Sequence, residues 1–217
     1  YRYLDKKIKV IYEGIDDIYC RRINKKKSLE NIYKIPNHPY IVYTGNIYPH
    51  KNIPTLLRAL KKYNLENNEP YHLLIVCSRS VFSDRLKEII VKEKMSKYVH
   101  FLGFVPDIDL REIYANSKAF VTPSKLEGFG LPGLESMASG AIVIAANSSC
   151  LPEIYQHGAI YFDPDDFEDL TSKLVDLNNM SESTRQRIIN ANVKYTNQFS
   201  WVKLAKETTA TYEKLLA

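Results

Sequence analysis

Short apolar runs alternate with amphipathic stretches along most of the 217-residue chain. The runs are four to eight residues long and rich in Val, Ile, Leu and Tyr, as is typical of buried β-strands. Between them, apolar residues recur at helical spacing, and three further helical patterns follow Phe167. The predicted strands are residues 40–45, 71–78, 98–103, 118–123, 141–146 and 159–162, and the helices between them are 52–64, 83–94, 107–117 and 131–139.

Regular alternation of nearly continuous apolar strands with helices indicates a parallel sheet that is covered on both faces. The sequence therefore predicts an α/β fold with a doubly wound, Rossmann-like parallel sheet of about six strands. The stretch "KKIKVIYEGIDDIYC", residues 6–20, stands apart from the alternation and is predicted to form an extra strand and a turn.

Composition narrows the class of protein. The chain is 45% apolar and 25% charged, which is typical of a soluble globular protein with a sizeable core. No apolar run approaches the roughly 20 residues of a membrane helix, and no signal peptide opens the chain. Three widely spaced cysteines favour a reducing compartment without a metal site. We expect a cytoplasmic protein, with peripheral contact at the inner face of the membrane left open.

The net charge of +5 comes from the N-terminal fifth of the chain. Residues 1–40 hold ten Lys and Arg against five Asp and Glu, which leaves twenty of each for the rest. Such a basic segment can face anionic lipid or nucleic acid, but "RRINKKK" at residues 21–27 is equally typical of a solvated linker. The sequence contains no zinc-finger spacing and no RNA-binding signature, so we expect no nucleic-acid partner.

In doubly wound sheets, ligands bind outside the carboxyl ends of the strands, which directs attention to the loops after the strands. In "EGFGLPGLE", residues 127–135, Gly128 and Gly130 free the backbone to approach a ligand. Leu131 and Pro132 begin a helix whose unpaired N–H groups can bind a phosphate.

Two carboxylates flank that helix start, and a lysine lies in another loop. Glu127 and Glu135 are suited to accepting hydrogen bonds from sugar or ribose hydroxyls, and Lys51 can supply positive charge to a diphosphate. Each is also explained as an ordinary loop or surface charge. Their conjunction with a phosphate-binding helix start indicates a nucleotide-sugar pocket.

The same residues resemble a known family. "EGFGLPGLE" matches the E-x7-E signature of the GT4 group of retaining glycosyltransferases, and the similarity extends from "VIYEGIDDIY" through "YTGNIYPHKNIPTLLRAL" to "FSWVKLAKETTATYEKLL". The resemblance implies the C-terminal, donor-binding half of a GT-B enzyme. Residues 1–38 would be the interdomain crossover strand and basic linker, residues 39–198 the nucleotide-sugar-binding domain, and residues 199–217 a helix that returns toward the N-terminal acceptor domain missing here.

The resemblance also implies roles for individual residues. Lys51 would bind the donor diphosphate, Glu127 the hydroxyls of the transferred sugar, and Glu135 the nucleotide ribose. The family commonly carries an arginine directly after the first-strand glycine, Gly45, but here that position is Asn46, which lacks the charge. The remaining substrate-binding residues would present backbone N–H groups to sugar and phosphate and are Gly128, Phe129, Gly130 and Leu131.

The implied reaction transfers a hexose, with retention of configuration, from a nucleotide diphosphate sugar of the GDP-mannose or UDP-sugar type to a glycan or lipid-linked acceptor. We expect no cofactor. Asp107 and Asp109 match the D-x-D spacing of metal-binding glycosyltransferases, but helix capping explains both, with Asp107 as N-cap and Asp109 in the first turn. A stand-alone, non-catalytic nucleotide-sugar binding module is the alternative, because the isolated domain would lack acceptor contacts.

Overall fold

A computed structural model describes residues 8–20 and 29–216. Six strands form one sheet, and all neighbouring strands are parallel. Each strand lies within one of the six predicted ranges, and the sheet is of the predicted doubly wound type. The strands are β1 (Tyr40–Thr44), β2 (His72–Val76), β3 (Val99–Phe101), β4 (Ala119–Thr122), β5 (Val143–Ala146) and β6 (Ala159–Phe162).

Helices flank the sheet in the order that the amphipathic stretches predict. The α-helices are α1 (Asp17–Cys20), α2 (Leu29–Tyr33), α3 (Ile53–Glu66), α4 (Val81–Lys92), α5 (Asp107–Ala115), α6 (Leu131–Ala138), α7 (Leu151–Tyr155), α8 (Phe167–Asn178), α9 (Glu182–Thr196) and α10 (Trp201–Leu216). Short 3₁₀ turns occupy Pro49–Lys51 and Gln156–Gly158. No helix within 8–20 or 29–216 combines the length and hydropathy that a membrane crossing requires.

The core lies between the sheet and its helices. Every residue of β2, β4 and β5 is buried, as expected for strands covered on both faces. The strand order is β3-β2-β1-β4-β5-β6. It places β1 and β4 side by side at the centre, with the chain winding outward in opposite directions from this point.

The N-terminal segment differs from its prediction. Of the described residues 8–16, only Ile15 makes a bridge of the β type, to Ser200, and residues 17–20 are helical. The extra strand predicted there is therefore wrong for the described residues. The segment lies beside the start of α10, where the described residues provide no neighbouring strand for a ladder of hydrogen bonds. The basic run 21–27 lies outside the described residues.

Candidate functional site

The junction of β1 and β4 is the topological switch point of the sheet. Connections from these two strands leave toward opposite sides, which opens a crevice at their carboxyl ends. Two loops border it: the β1 loop, residues 45–52, and the β4 loop, residues 123–130. All nine predicted site residues lie in these loops or in helix α6, which begins directly after the second loop.

The β1 loop is shaped by hydrogen bonds to Asn46. The hydroxyl of Tyr43 donates to the Asn46 carbonyl oxygen at 2.6 Å, and the Tyr48 amide donates to the Asn46 side-chain oxygen at 3.4 Å. Gly45 adopts a φ of 140°, which side chains rarely tolerate. Asn46 is exposed. Its side-chain amide is polar but uncharged, unlike the arginine expected there from the resemblance.

Lys51 and Glu127 form an ion pair across the switch point. Lys51 Nζ lies 2.6 Å from Glu127 Oε1, and the two side chains are only 14% and 17% exposed. The backbone of Glu127 is fixed by the loop after β5, because its carbonyl accepts from Ser149 Oγ at 2.9 Å and from Cys150 Sγ at 3.3 Å. The charge of Lys51 is thus neutralised by the carboxylate of Glu127.

The β4 loop is tied to both neighbouring loops. The Lys125 amide donates to the His50 carbonyl at 2.8 Å, which joins it to the β1 loop. The Ser148 hydroxyl donates to the Lys125 carbonyl at 2.7 Å, which joins it to the loop after β5. These bonds position Glu127 opposite Lys51.

Two glycines near the start of α6 serve packing. At Gly130, with a φ of 93°, an added Cβ would lie 2.5 Å from the Tyr155 hydroxyl, and at Gly133 it would lie 2.2 Å away. That hydroxyl donates to the Gly130 carbonyl at 2.6 Å. Of Gly128 and Gly130, the two glycines predicted to free the backbone for a ligand, only Gly128 faces open space. Leu131 begins α6 as predicted.

A cleft of about 590 Å³ lies over the carboxyl ends of β1, β2 and β3. Its lining includes the predicted residues Gly45, Asn46 and Glu135, whereas the Lys51–Glu127 pair lies outside that lining, beside β4. The full lining comprises Tyr19, Thr44, Gly45, Asn46, Tyr48, Val76, Cys77, Ser78, Arg79, Ser80, Gly103, Phe104, Val105, Asp107, Leu110 and Glu135.

Tyr19 of helix α1 closes one side of this cleft. The side chain is buried, and its hydroxyl donates to Asp107 Oδ1 at 2.9 Å. Its ring packs 6.3 Å from that of Tyr114, whose hydroxyl donates to Thr44 Oγ1 at 2.9 Å. Both tyrosine hydroxyls are therefore engaged by other acceptors and do not donate to Glu135.

Glu135 is the most perturbed carboxyl of the site. Burial raises its pKa to about 7, and the negative charges of Asp107 and Asp16 act in the same direction. Among the described residues no side chain donates a hydrogen bond to it. A ligand with hydroxyl groups could therefore donate hydrogen bonds to the Glu135 carboxylate.

The raised pKa of Glu135 predicts a stability that falls with rising pH. Between the unfolded value of about 4.5 and the folded value of about 7, the folded chain binds more protons than the unfolded chain. The resulting contribution to the free energy of unfolding is complete below pH 4.5 and is lost as pH rises through 7. Because the side chain is partly exposed, we reduce this contribution to about 2 kcal/mol. Urea unfolding at pH 5 and pH 8 should show this loss in the wild type and a smaller one in Glu135→Gln; equal losses in both would contradict it.

The pair Asp107 and Asp109 differs in part from its prediction. Pro106 occupies the N-cap position of α5, and Asp107 is the first helical residue, so its assignment as N-cap is wrong. Proline at 106 holds an extended backbone there, which displaces the helix start by one residue. Asp109 lies in the first turn as predicted and accepts from the Tyr33 hydroxyl at 2.7 Å. Each carboxylate thus has a tyrosine partner.

Two parts of the cleft were missed from the sequence. Tyr19 belongs to a helix outside the strand-helix alternation, and no local signal predicts that it reaches the cleft. The loop after β2 contributes Ser78, Arg79 and Ser80 to the cleft. The rule that ligands bind in loops after strands would have found them. Arg79 adds a cation on the side of the cleft opposite β4.

The fold and the site define an α/β protein with a polar cleft and an ion pair at the switch point of a Rossmann-like sheet. Residues 24–195 match the family model described as "Glycosyl transferases group 1". Because this match spans well over half of the chain, the protein belongs to the group 1 glycosyl transferase family.

Among curated proteins, the chain is similar to O-antigen chain mannosyltransferase B of Escherichia coli, with 32% identity over 184 residues, 84% of this chain and 48% of that protein. It is 30% identical over 178 residues to O-antigen chain mannosyltransferase RfbU of Salmonella typhimurium, which covers 82% of this chain and 46% of that protein. The chain spans about half the length of these relatives.

Solved structures share the fold. A glycosyltransferase from Rickettsia africae superposes with a TM-score of 0.87 at 24% identity, over 98% of this chain and 58% of that one. Anabaena Alr3699/HepE, solved in complex with UDP and glucose, superposes with a TM-score of 0.81 at 21% identity, over 95% of this chain and 57% of that one. These neighbours confirm the predicted Rossmann-like fold of GT-B glycosyltransferases.

Proposed function

We propose that this chain is the donor-binding domain of a retaining GT4 glycosyltransferase. It binds a nucleotide diphosphate sugar of the GDP-mannose or UDP-sugar type, and the whole enzyme transfers the hexose to a glycan or lipid-linked acceptor. Residues 39–198 form the donor domain in this proposal, and the acceptor contacts come from a separate N-terminal domain. The enzyme acts in the cytoplasm, in solution or at the inner face of the membrane.

The Lys51–Glu127 pair carries this proposal. A cation and a carboxylate meet at 2.6 Å at the switch point, where Rossmann-like sheets bind nucleotides. Helix α6 begins four residues beyond Glu127 without a side-chain cap. Pro132 has no N–H and the Gly133 amide donates to the Gly130 carbonyl at 3.1 Å, so in this proposal the Leu131 amide faces the phosphate. Glu135, in the second turn of that helix, lines the adjoining cleft. This arrangement offers positive charge for a diphosphate and two separate acceptors for hydroxyl groups.

The names of the relatives support the same class of ligand. Two matched proteins are mannosyltransferases of O-antigen chains, and one structural neighbour was solved with UDP and glucose. Mannose and glucose are both hexoses, whereas the bases of GDP and UDP differ in size and in hydrogen-bonding groups. We therefore propose the hexose and leave GDP and UDP as alternatives that the binding experiment separates.

In the proposed reaction, binding of the donor separates Lys51 from Glu127, and each side chain then contacts a different part of the donor. The diphosphate takes Lys51, and the sugar hydroxyls donate to the released Glu127 carboxylate. As the sugar–phosphate bond breaks, Lys51 and the α6 N–H groups stabilise the negative charge that develops on the leaving diphosphate. The acceptor hydroxyl then attacks the oxocarbenium-like sugar on the face that the diphosphate leaves and gives its proton to an oxygen of the departing diphosphate, which retains the configuration. Closure by the acceptor domain excludes water and suppresses hydrolysis.

The isolated chain should bind GDP or UDP without a metal ion and transfer sugar weakly or not at all. Lysine and helix N–H groups supply the positive charge, so titration calorimetry in excess EDTA and in Mg²⁺ should give the same affinity. Absence of binding for all four of GDP, UDP, GDP-mannose and UDP-glucose would contradict the proposed function. Binding that requires the cation would contradict metal independence, and robust transfer by this chain alone would show that the acceptor site lies within it.

A further inference from the structure

Three aromatic rings from separate parts of the chain meet beside the β4 loop. The ring centroids of Tyr12 and Phe129 are 5.8 Å apart, those of Tyr12 and Phe199 are 6.2 Å apart, and those of Phe129 and Phe199 are 6.0 Å apart. Distances of this size are within the range of favourable aromatic packing. Tyr12 belongs to the N-terminal segment, Phe199 precedes helix α10, and Phe129 lies two residues after Glu127. We call these three residues the aromatic triangle.

The N-terminal segment, which carries Tyr12, is joined through its backbone to the segment that carries Phe199. The Ile15 amide donates to the Phe199 carbonyl at 3.4 Å, and Ile15 and Ser200 form the only β-bridge between the described parts of these two segments. Gly14 packs so closely that an added Cβ would lie 2.1 Å from the Trp201 nitrogen. The described part of the N-terminal segment is therefore tied to the start of α10.

Tyr12 reaches the supports of Glu127 by two routes. Its ring contacts Phe129 in the β4 loop. Its hydroxyl donates to Glu153 Oε1 at 2.8 Å, in the first turn of α7, and the residues just before that helix hold the Glu127 backbone. A shift of the N-terminal segment would therefore displace both the β4 loop after Glu127 and the start of α7, whose preceding residues bind the Glu127 backbone.

We propose that Tyr12 is a positioning residue for Glu127, acting through the aromatic triangle. The N-terminal segment and α10 set the conformation of the β4 loop and thereby the alignment of Glu127 with Lys51. Phe129 acts through its side chain, in addition to the backbone role that the sequence predicts. The consequence for donor affinity rests on the proposed function, whereas the coupling between the segment and the loop does not.

Hydrogen exchange tests the coupling without a ligand. Tyr12 is 42% exposed, so Tyr12→Leu is expected to fold. The loss of the ring contacts with Phe129 and Phe199 should raise the exchange rates of two hydrogen-bonded amides about three- to tenfold. These are the amide of Glu127, which donates to Ser149 Oγ, and that of Gly133, which donates to the Gly130 carbonyl. Tyr12→Phe, which keeps the ring and loses the bond to Glu153, should show a smaller increase. Tyr212→Leu, an equally conservative change at an exposed position of α10, is the matched control and should leave these amides unchanged.

A double-mutant comparison separates positioning from a general loss of stability. In a Phe129→Leu background, Tyr12→Leu should raise the exchange rates by a smaller factor than in the wild type, because the contact of Tyr12 with Phe129 is already lost and only the bond to Glu153 and the contact with Phe199 remain. Tyr12→Leu should also weaken the nucleotide sugar about three- to tenfold while leaving the bare nucleoside diphosphate nearly unchanged. Unchanged exchange in Tyr12→Leu, or equal weakening of both ligands, would overturn the proposal. A chain that binds neither ligand would instead refute the proposed function, and the exchange data would still decide the coupling.

Discussion

Replacing Lys51 by alanine should lower the turnover of an enzyme that joins this chain to the proposed acceptor domain by about 100- to 1000-fold. Lys51 is the only cation paired with Glu127 in the described residues, and Asn46 provides no charge at the position where the family commonly has arginine. Removal of one preorganised donor to a developing anion costs about 2.7 to 4 kcal/mol of barrier in comparable sites. The measurement is kcat with saturating donor and acceptor.

Two further variants make the result specific. Lys61→Ala removes a lysine that forms a comparable ion pair at the surface, 2.7 Å from Glu93, and should leave kcat unchanged. Lys51→Arg keeps the charge and should retain part of the activity, although the guanidinium changes the geometry. A Lys51→Ala enzyme with more than a tenth of wild-type turnover would refute the assigned role, and Arg79 would then be the next cation to test, since it lines the cleft.

The strands were predictable because each is a compact apolar run with covered faces. Every observed strand lies inside its predicted range: β6 matches its range, and no end of the other five strands is shortened by more than two residues. The six-stranded order could not be derived from the runs themselves, since strand neighbours depend on which crossovers the helices take. Connectivity rules nevertheless restrict the sheet to the doubly wound class.

The N-terminal segment shows where local pattern fails. Its alternating apolar residues, such as Ile8 and Val10, favour a strand, but these side chains are exposed and the backbone meets α10 at a single bridge. Strand propensity reflects packing on a pleated neighbour, and the described residues provide no such neighbour here. Tyr19 was missed for a related reason, because its position in the cleft comes from the contact of α1 with α5 and α6.

The site was predictable as a set of residues and not as a set of interactions. The switch-point rule brings Lys51 and Glu127 to the same edge of the sheet, yet the loop conformations decide that they form a direct pair. Likewise, the spacing of the E-x7-E motif locates Glu135 on α6. Its pKa of about 7 depends on burial and on Asp107 and Asp16, which come from two other parts of the chain.

The two glutamates should separate in a binding experiment. Glu135 is expected at the ribose, which a bare nucleoside diphosphate and a nucleotide sugar share, whereas Glu127 is expected at the hexose, which only the sugar-bearing donor carries. Glu135→Ala should therefore weaken both ligands about ten- to a hundredfold, the value of one lost charged hydrogen bond. Glu127→Ala should weaken the nucleotide sugar by a similar factor.

The ion pair sharpens the expectation for Glu127→Ala with the bare diphosphate. Lys51 is paired with Glu127, so removal of the carboxylate frees the lysine charge for phosphate. The affinity for the nucleoside diphosphate should then be retained or slightly increased while that for the sugar-bearing donor falls. Calorimetry of both variants with both ligands measures the four changes, and Glu93→Ala serves as an exposed glutamate control. If Glu127→Ala weakens the bare diphosphate as much as the nucleotide sugar, Glu127 does not bind the hexose.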